Sequence, residues 1–134
     1  MRVTRRTLVL AGIALALGLV WSAIHVGGRD VGVLRTFGVQ GEDLYTTLWV
    51  IDDAEFVWIR ANRRDRKWLF HVQQNPDVQL WRSGRQRAYR AVLFDKPEAR
   101  AYVGPRFREK YGLADRWRAW REGSDTIPIR LEPR

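Results

Sequence analysis

The chain is arranged around residues 58–81, which read WIRANRRDRKWLFHVQQNPDVQLW. β-Branched and aromatic side chains predict a strand over residues 56–60, and a short helix is predicted over residues 67–74. That helix is expected to stop at Asn75-Pro76, because proline disfavours helical backbone in the residue before it. A second strand is predicted over residues 78–82. Strand, basic loop, helix and strand therefore follow one another without a long connection.

The loop between the first strand and the helix is strongly basic. Its cationic residues, with the last strand residue included, are Arg60, Arg63, Arg64, Arg66 and Lys67. Unpaired backbone N–H groups and the helix dipole favour an anion at a helix N-terminus, and guanidinium groups bind phosphate oxygens in bidentate fashion. The pattern is typical of a phosphate site, but a solvated loop between two elements has the same composition, so both interpretations stay open.

The composition of the 134 residues limits the possible chemistry. The net charge of +9 is compatible with nucleic acid, anionic lipid or an anionic small ligand as partner. The chain has no cysteine, which excludes disulfides, Cys-ligated zinc and a thiol nucleophile. His25 and His71 are far apart and lack a metal-ligand spacing, so no metal site is predicted. No nucleophile or nucleotide-binding motif was found that would identify a catalytic residue.

An apolar segment precedes the folded part of the chain. From Leu8 to Ile24 the only polar side chain is Ser22, and these 17 residues are just long enough to span a bilayer. A cleaved signal peptide and a buried helix are the alternatives to an uncleaved single-pass anchor. Arginines before the segment predict a cytoplasmic N-terminus and an extracytoplasmic domain. We therefore divide the chain into an anchor or signal with its linker, residues 1–28, and a folded domain, residues 29–134.

Further strands are predicted on either side of the central segment. Residues 44–51 read as one strand joined by a hairpin turn to the strand that ends at residue 60. Residues 86–94 form another strand after a turn at Ser83-Gly84. Residues 126–131 alternate apolar and polar side chains, and Pro128 within them favours an edge strand. Residues 31–37 fit either a strand or a helix next to the membrane.

The helical part of the sequence lies between the last two predicted strands. Asp95 and Pro97 mark a helix start, and Gly104-Pro105 is expected to divide the region into two helices, the second ending at Gly112. A third helix is predicted over residues 115–122, with Trp117 and Trp120 packed in the core. Together the elements predict a mainly β (α+β) fold, a small six- or seven-stranded antiparallel barrel with outer helices.

The order and spacing of several segments resemble the split β-barrel flavin-binding proteins, which include pyridoxamine-phosphate-oxidase-like proteins and deazaflavin-dependent nitroreductases. The similar segments are TTLWVI at 46–51, FVWIR at 56–60, Arg66-Lys67 followed by Asn75-Pro76, KYG at 110–112 and IRLEP at 129–133. The likeness covers about residues 44–133 and is greatest to small, uncharacterised members. It implies an FMN or deazaflavin (F420) cofactor and a homodimer.

The resemblance also implies a set of cofactor-binding residues. The phosphate would lie at the basic loop, and two strand residues would face the ring or the ribityl chain. The predicted residues are Thr46, Thr47, Arg60, Arg64, Arg66, Lys67 and Trp68. One departure is Asp65, which stands where the superfamily often has Ser.

The sequence thus supports two functions of different kinds. The first is a membrane-tethered flavin- or deazaflavin-binding oxidoreductase that acts on a small quinone-like or nitro substrate. The alternative, to which Asp65 points, is a split-barrel module that binds a ligand or partner without turnover. A third possible function is contact between the arginine-rich surface and nucleic acid. This function is not expected for a domain outside the cytoplasm.

Overall fold

The computed structural model describes residues 30–134. In this range the strands are β1 (Val31–Phe37), β2 (Asp43–Trp49), β3 (Ile51–Asp53), β4 (Phe56–Ala61), β5 (Asp77–Arg82), β6 (Arg85–Leu93) and β7 (Ile127–Pro133). The helices are α1 (Lys67–Gln74), α2 (Pro97–Tyr111) and α3 (Leu113–Glu122). The predicted anchor over residues 8–24 lies outside this range. Among residues 30–134 no helix combines the length and apolarity that crossing a membrane requires.

The described strands form one antiparallel sheet in the order β2-β1-β5-β6-β7-β4-β3. Its two ends, β2 and β3, are consecutive in the chain and are separated only by Val50. The sheet must therefore curl until its ends meet, which produces a split barrel. The prediction of one strand over residues 44–51 was wrong in this respect, since the chain changes its pairing partner at Val50, where the barrel is closed.

The strand of the central segment, β4, has buried side chains on both faces. Val57 and Ile59 point into the barrel with Leu69 of α1, whereas Trp58 belongs to a second apolar cluster with Phe107 of α2. This alternation follows from the two-residue period of a strand. It places Arg60, two residues after Trp58, on the α2 side of the sheet.

Helix α2 is continuous through Gly104-Pro105, so the prediction of two helices was wrong. Pro105 lies inside the helix and is exposed to solvent. The carbonyl that loses its N–H partner is therefore able to bond water. The buried stripe formed by Val103, Phe107 and Tyr111 keeps helical spacing across the proline. The packing of this stripe against the sheet outweighs the loss of one backbone hydrogen bond at the proline.

Two further expectations changed in the structure. Pro128 was expected on an edge strand, but β7 lies between β6 and β4. The proline is tolerated because it is the second residue of the strand, and its carbonyl still accepts a hydrogen bond from the Phe94 N–H at 2.8 Å. The segment that fitted either a strand or a helix is strand β1, paired with β2 and β5.

Two short-range predictions are confirmed, one within the central segment and one just after it. Helix α1 covers residues 67–74, as expected from the sequence. The β5–β6 connection is a two-residue turn in which Ser83 and Gly84 have positive φ values of 52° and 73°. Positive φ at both positions is typical of the tight turns whose twist matches that of a hairpin.

Candidate functional site

A groove of about 330 Å³ lies between the ends of β2 and β4 and helix α3. It combines aromatic, cationic and amide side chains. The residues that bear on its chemistry are Thr47, Trp49, Arg60, Asn62, Trp117 and Arg118. The groove thus joins the strands of the central segment to the C-terminal helices, which are distant in the sequence.

Arg60 is a buried cation at the base of the groove, with only 6% of its surface exposed. Its guanidinium group donates a hydrogen bond to Asp115 and lies over the Phe107 ring, 4.1 Å from the centroid. Burial, and then the positive charge of Arg118, lower the pKa of Arg60 to about 10. Its Nε–H is buried and has no hydrogen-bond partner within the described residues, so one donor of this cation is left unsatisfied by the protein.

Asn62 also lines the groove and provides an acceptor. Its Oδ1 atom is buried and has no hydrogen-bond partner among residues 30–134. Buried polar atoms are nearly always paired in folded proteins, so an unpaired donor and an unpaired acceptor on two groove residues call for an explanation. We did not predict Asn62 from the sequence. The available signal was its position two residues after Arg60, at the end of β4.

The aromatic walls of the groove differ in how firmly they are held. Trp49 stacks on Tyr111 with ring centroids 4.4 Å apart and an angle of 7° between the planes. The Tyr111 hydroxyl accepts a 2.9 Å hydrogen bond from the Val50 N–H, which fixes the ring; burial raises the pKa of Tyr111 to about 12. Trp117 forms the opposite wall and is 63% exposed.

The two predicted threonines lie on opposite faces of β2. Thr47 lines the groove. Thr46 is paired with Leu34, whose side chain is buried in the barrel, and directly paired residues point to the same face of a sheet. The structure therefore brings Thr47, but not Thr46, to Arg60.

The arginines of the basic loop have carboxylate partners. Arg64 bonds Asp95 at 2.6 Å and Asp125 at 2.8 Å. These contacts raise the pKa of Arg64, and the Arg64 guanidinium in turn lowers that of Asp95 to about 2. Arg66 bonds Glu122 of α3 at 2.7 Å. This internal pairing ties the loop to the C-terminal helices.

The other residues of the loop differ in exposure. Asp65, the departure from the superfamily pattern, pairs with Arg63 at 2.7 Å, and both are exposed. Lys67 is also exposed, and it has no carboxylate partner in the described part of the chain. Trp68 is 4% exposed and packs in the barrel core. Of the predicted loop residues, Lys67 is the one whose charge is most available.

The prediction that the tryptophans of α3 are core residues was wrong. Leu113, Trp117 and Trp120 are 80%, 63% and 78% exposed, and the two indole rings contact each other with centroids 5.4 Å apart. The residue of α3 that is buried is Asp115, which faces Arg60. The ion pair thus determines which side of the helix faces the sheet.

Residues 30–134 contain no group of three His, Asp or Glu side chains that could hold a metal ion. His71 is 2% exposed, and its Nδ1 lies 3.2 Å from the Thr36 hydroxyl. It is a packed core residue of α1.

Comparison with solved structures confirms the split-barrel fold that the sequence resembled. An F420-H2 dependent reductase (FDR-A) matches with a TM-score of 0.64 and 17% identity, over 78% of this chain and 95% of that one. A candidate pyridoxamine 5′-phosphate oxidase from Listeria innocua matches with a TM-score of 0.60 and 10% identity, over 87% of this chain and 91% of that one. A domain-swapped dimer matches with a TM-score of 0.62 and 15% identity, over 90% of this chain and 99% of that one. By sequence, neither a known protein family nor a curated protein matches the chain.

Proposed function

We propose that the chain is a flavin- or deazaflavin-binding oxidoreductase whose cofactor ring occupies the groove beside Arg60. The observation that carries the proposal is that two residues lining the groove each hold a buried polar atom without a hydrogen-bond partner among residues 30–134, the Arg60 Nε–H donor and the Asn62 Oδ1 acceptor. The pyrimidine part of a flavin or deazaflavin presents carbonyl acceptors and an N–H donor, which is the complementary set. FMN and F420 both satisfy this requirement.

The protein's part in the reaction would be to bind and orient the ring. A bound flavin or deazaflavin supplies the hydride chemistry, which needs no protein nucleophile. Arg60 would donate to a ring carbonyl, and Asn62 would accept from the ring N–H. Trp49, fixed by its stack on Tyr111, and Trp117 would contact the apolar ring and exclude water.

The phosphate of the cofactor would lie at the start of α1, which is the position that the sequence resemblance implies. The first turn of this helix has no acidic residue, and no side chain caps it, so its N–H groups favour an anion. Lys67 would provide charge directly. Arg66 would exchange its bond to Glu122 for a phosphate oxygen, and Arg64 would keep the loop in place through its aspartates.

The proposed substrate is a small quinone-like or nitro compound. The proposed location of the domain is the extracytoplasmic face of a membrane. The support for a tether is the apolar run over residues 8–24 and the arginines before it. A tether suits an apolar substrate that partitions into lipid. Among proteins of the same fold, one is described as an F420-H2 dependent reductase and another as a candidate pyridoxamine 5′-phosphate oxidase, which supports the cofactor class.

The test is an absorbance titration of the full chain in mild detergent with FMN and with F420. Asn62→Leu removes the acceptor, and Arg66→Ala/Lys67→Ala removes two phosphate contacts. We expect each variant to bind at least about tenfold more weakly, because hydrogen bonds to charged or buried partners contribute on the order of 1.5–3 kcal/mol. Arg85→Ala/Arg87→Ala removes the same charge from the exposed start of β6 and should bind normally.

Two results would contradict this function. Failure of the unaltered protein to bind either chromophore would remove the cofactor class. Equal affinity in Arg66→Ala/Lys67→Ala and in the control would remove the phosphate assignment while leaving the ring groove intact. The experiment therefore separates the two parts of the proposal.

The alternative is a split-barrel module that binds without turnover. The internal pairing of Arg63, Arg64 and Arg66 favours it, because each phosphate contact from these arginines would have to replace a carboxylate. Stoichiometric binding of a chromophore that is neither reduced nor oxidised by quinone or nitro compounds would support this alternative over the enzyme.

A further inference from the structure

A second cavity, of about 580 Å³, lies between α2, α3 and the start of β7. Its lining is dominated by guanidinium groups. The arginines that line it are Arg60, Arg100, Arg108, Arg116 and Arg118. The single acidic residue of the lining is Asp115. The cavity is a different space from the groove, although Arg60 and Arg118 line both.

The acidic groups near this cavity do not balance its charge. Asp115 accepts hydrogen bonds from both Arg60 and Arg118, so one carboxylate serves two cations. Arg100 bonds Asp95 at 2.9 Å.

Arg108 and Arg116 have no carboxylate within ion-pair distance among residues 30–134. The lining of the cavity therefore holds five arginines and one carboxylate, that of Asp115, and carries a positive excess.

Burial makes the charge of Arg60 costly within this excess. Arg60 is more than nine-tenths buried, whereas Arg108 and Arg116 are exposed. The nearby positive charges of Arg118 and Arg108 add to burial in lowering its pKa. Buried charges are normally paired and fully hydrogen-bonded. An anion in this cavity would supply the missing negative charge.

We propose that the cavity between α2 and α3 binds the phosphate group of a small anionic ligand. Guanidinium groups that approach from several directions suit a phosphate, whose oxygens point to all of them, better than a planar carboxylate, which one arginine can satisfy. The Ser124 and Thr126 hydroxyls also line the cavity and can donate to phosphate oxygens. The volume leaves room for an organic part beyond the phosphate. This site adds to the cofactor groove and does not depend on it.

The test is isothermal titration of the full chain, in mild detergent at constant ionic strength, with inorganic pyrophosphate. The informative variant is Arg108→Ala/Arg116→Ala, because both residues are free of carboxylate partners in the described range and their loss breaks no ion pair there. The matched control is Arg85→Ala/Arg87→Ala, which removes two exposed arginines that line neither cavity. We expect pyrophosphate to bind at least about tenfold more weakly to the first variant and unchanged to the control.

Several outcomes would overturn the proposal. These are equal affinity of the two double variants, absence of pyrophosphate binding to the unaltered protein at low salt, and tighter binding of succinate than of pyrophosphate.

The Arg66→Ala/Lys67→Ala variant separates this site from the cofactor site. It should keep pyrophosphate binding, whereas Arg108→Ala/Arg116→Ala should keep flavin or deazaflavin binding. Loss of pyrophosphate binding only in Arg66→Ala/Lys67→Ala would assign the anion to the basic loop and contradict the second site.

Discussion

At the scale of single residues, Arg60 connects stability to function. It is the side chain at which the strand of the central segment meets both C-terminal helices. Asp115 offsets its charge, Phe107 packs beneath it, and its Nε–H stays available. A buried, incompletely paired cation reduces stability, and such groups are found where a ligand or a reaction requires them.

The Arg60–Asp115 pair gives the first prediction on stability. Asp115→Ala leaves Arg60 buried without its carboxylate, and we expect a loss of roughly 3–5 kcal/mol in the free energy of unfolding. Urea denaturation followed by tryptophan fluorescence measures it. Asp65→Ala, which removes the partner of Arg63 in an exposed pair, should change stability little. Similar losses in both variants would show that the buried pair has no special role.

At the scale of elements, helix α2 depends on tertiary packing. Its N-terminus begins with Pro97, a favourable first residue, but it also contains Pro105, which costs a hydrogen bond. Every fourth residue from Val103 to Tyr111 is buried against the sheet. The packing of this apolar stripe therefore stabilises one continuous helix, although the local sequence Gly104-Pro105 favours two.

The two prolines of α2 provide a matched test. Pro105→Ala should restore the missing backbone hydrogen bond on the exposed face and stabilise the protein by roughly 1–3 kcal/mol. Pro97→Ala should give no such gain, because the first helical N–H has no intrahelical partner in any case. The urea midpoints of the two variants measure the difference. A urea midpoint for Pro105→Ala below that of the unaltered protein would contradict this prediction, because it would show that Pro105 stabilises the folded protein.

At the scale of the whole molecule, the described residues leave a cluster of apolar side chains on the surface of α3. Leu113, Trp117 and Trp120 are exposed there, and Trp117 lines the groove. Exposed aromatic clusters of this kind are enriched at interfaces between subunits. The sequence resemblance implied a homodimer, and one protein of the same fold is a domain-swapped dimer. We propose that this face of α3 forms the dimer interface.

The dimer proposal predicts a charge-sensitive interface. Trp120→Glu removes an aromatic anchor that does not itself line the groove but contacts Trp117, which does. We expect dimerisation to weaken at least about tenfold, since buried tryptophans are common hot spots. Sedimentation velocity of the full chain in detergent measures the change. Phe70→Glu alters an exposed aromatic residue of α1 that is 58% exposed and should leave the dimer intact. A monomeric unaltered protein would contradict the proposal.

Local sequence determined the elements whose signals are short in range. Helix α1 and its stop at Asn75-Pro76, the turn at Ser83-Gly84 and the strands on either side follow from backbone preferences and two-residue alternation. Their order indicated a small antiparallel barrel with outer helices, and the resemblance of several segments to a known superfamily indicated a split barrel. The basic loop and Arg60 were also visible from the sequence, because charge and position need no tertiary information.

Only the tertiary structure decided which residues meet. The barrel closes at Val50, β7 becomes an interior strand despite Pro128, and α3 buries Asp115 while exposing its tryptophans. Asn62 becomes a site residue because the groove forms between segments some 55 residues apart, as the Arg60–Asp115 contact shows. These outcomes depend on which long-range contacts bury the most apolar surface and pair the most charges. The periodicity of side chains within one segment does not show which distant segment it will contact.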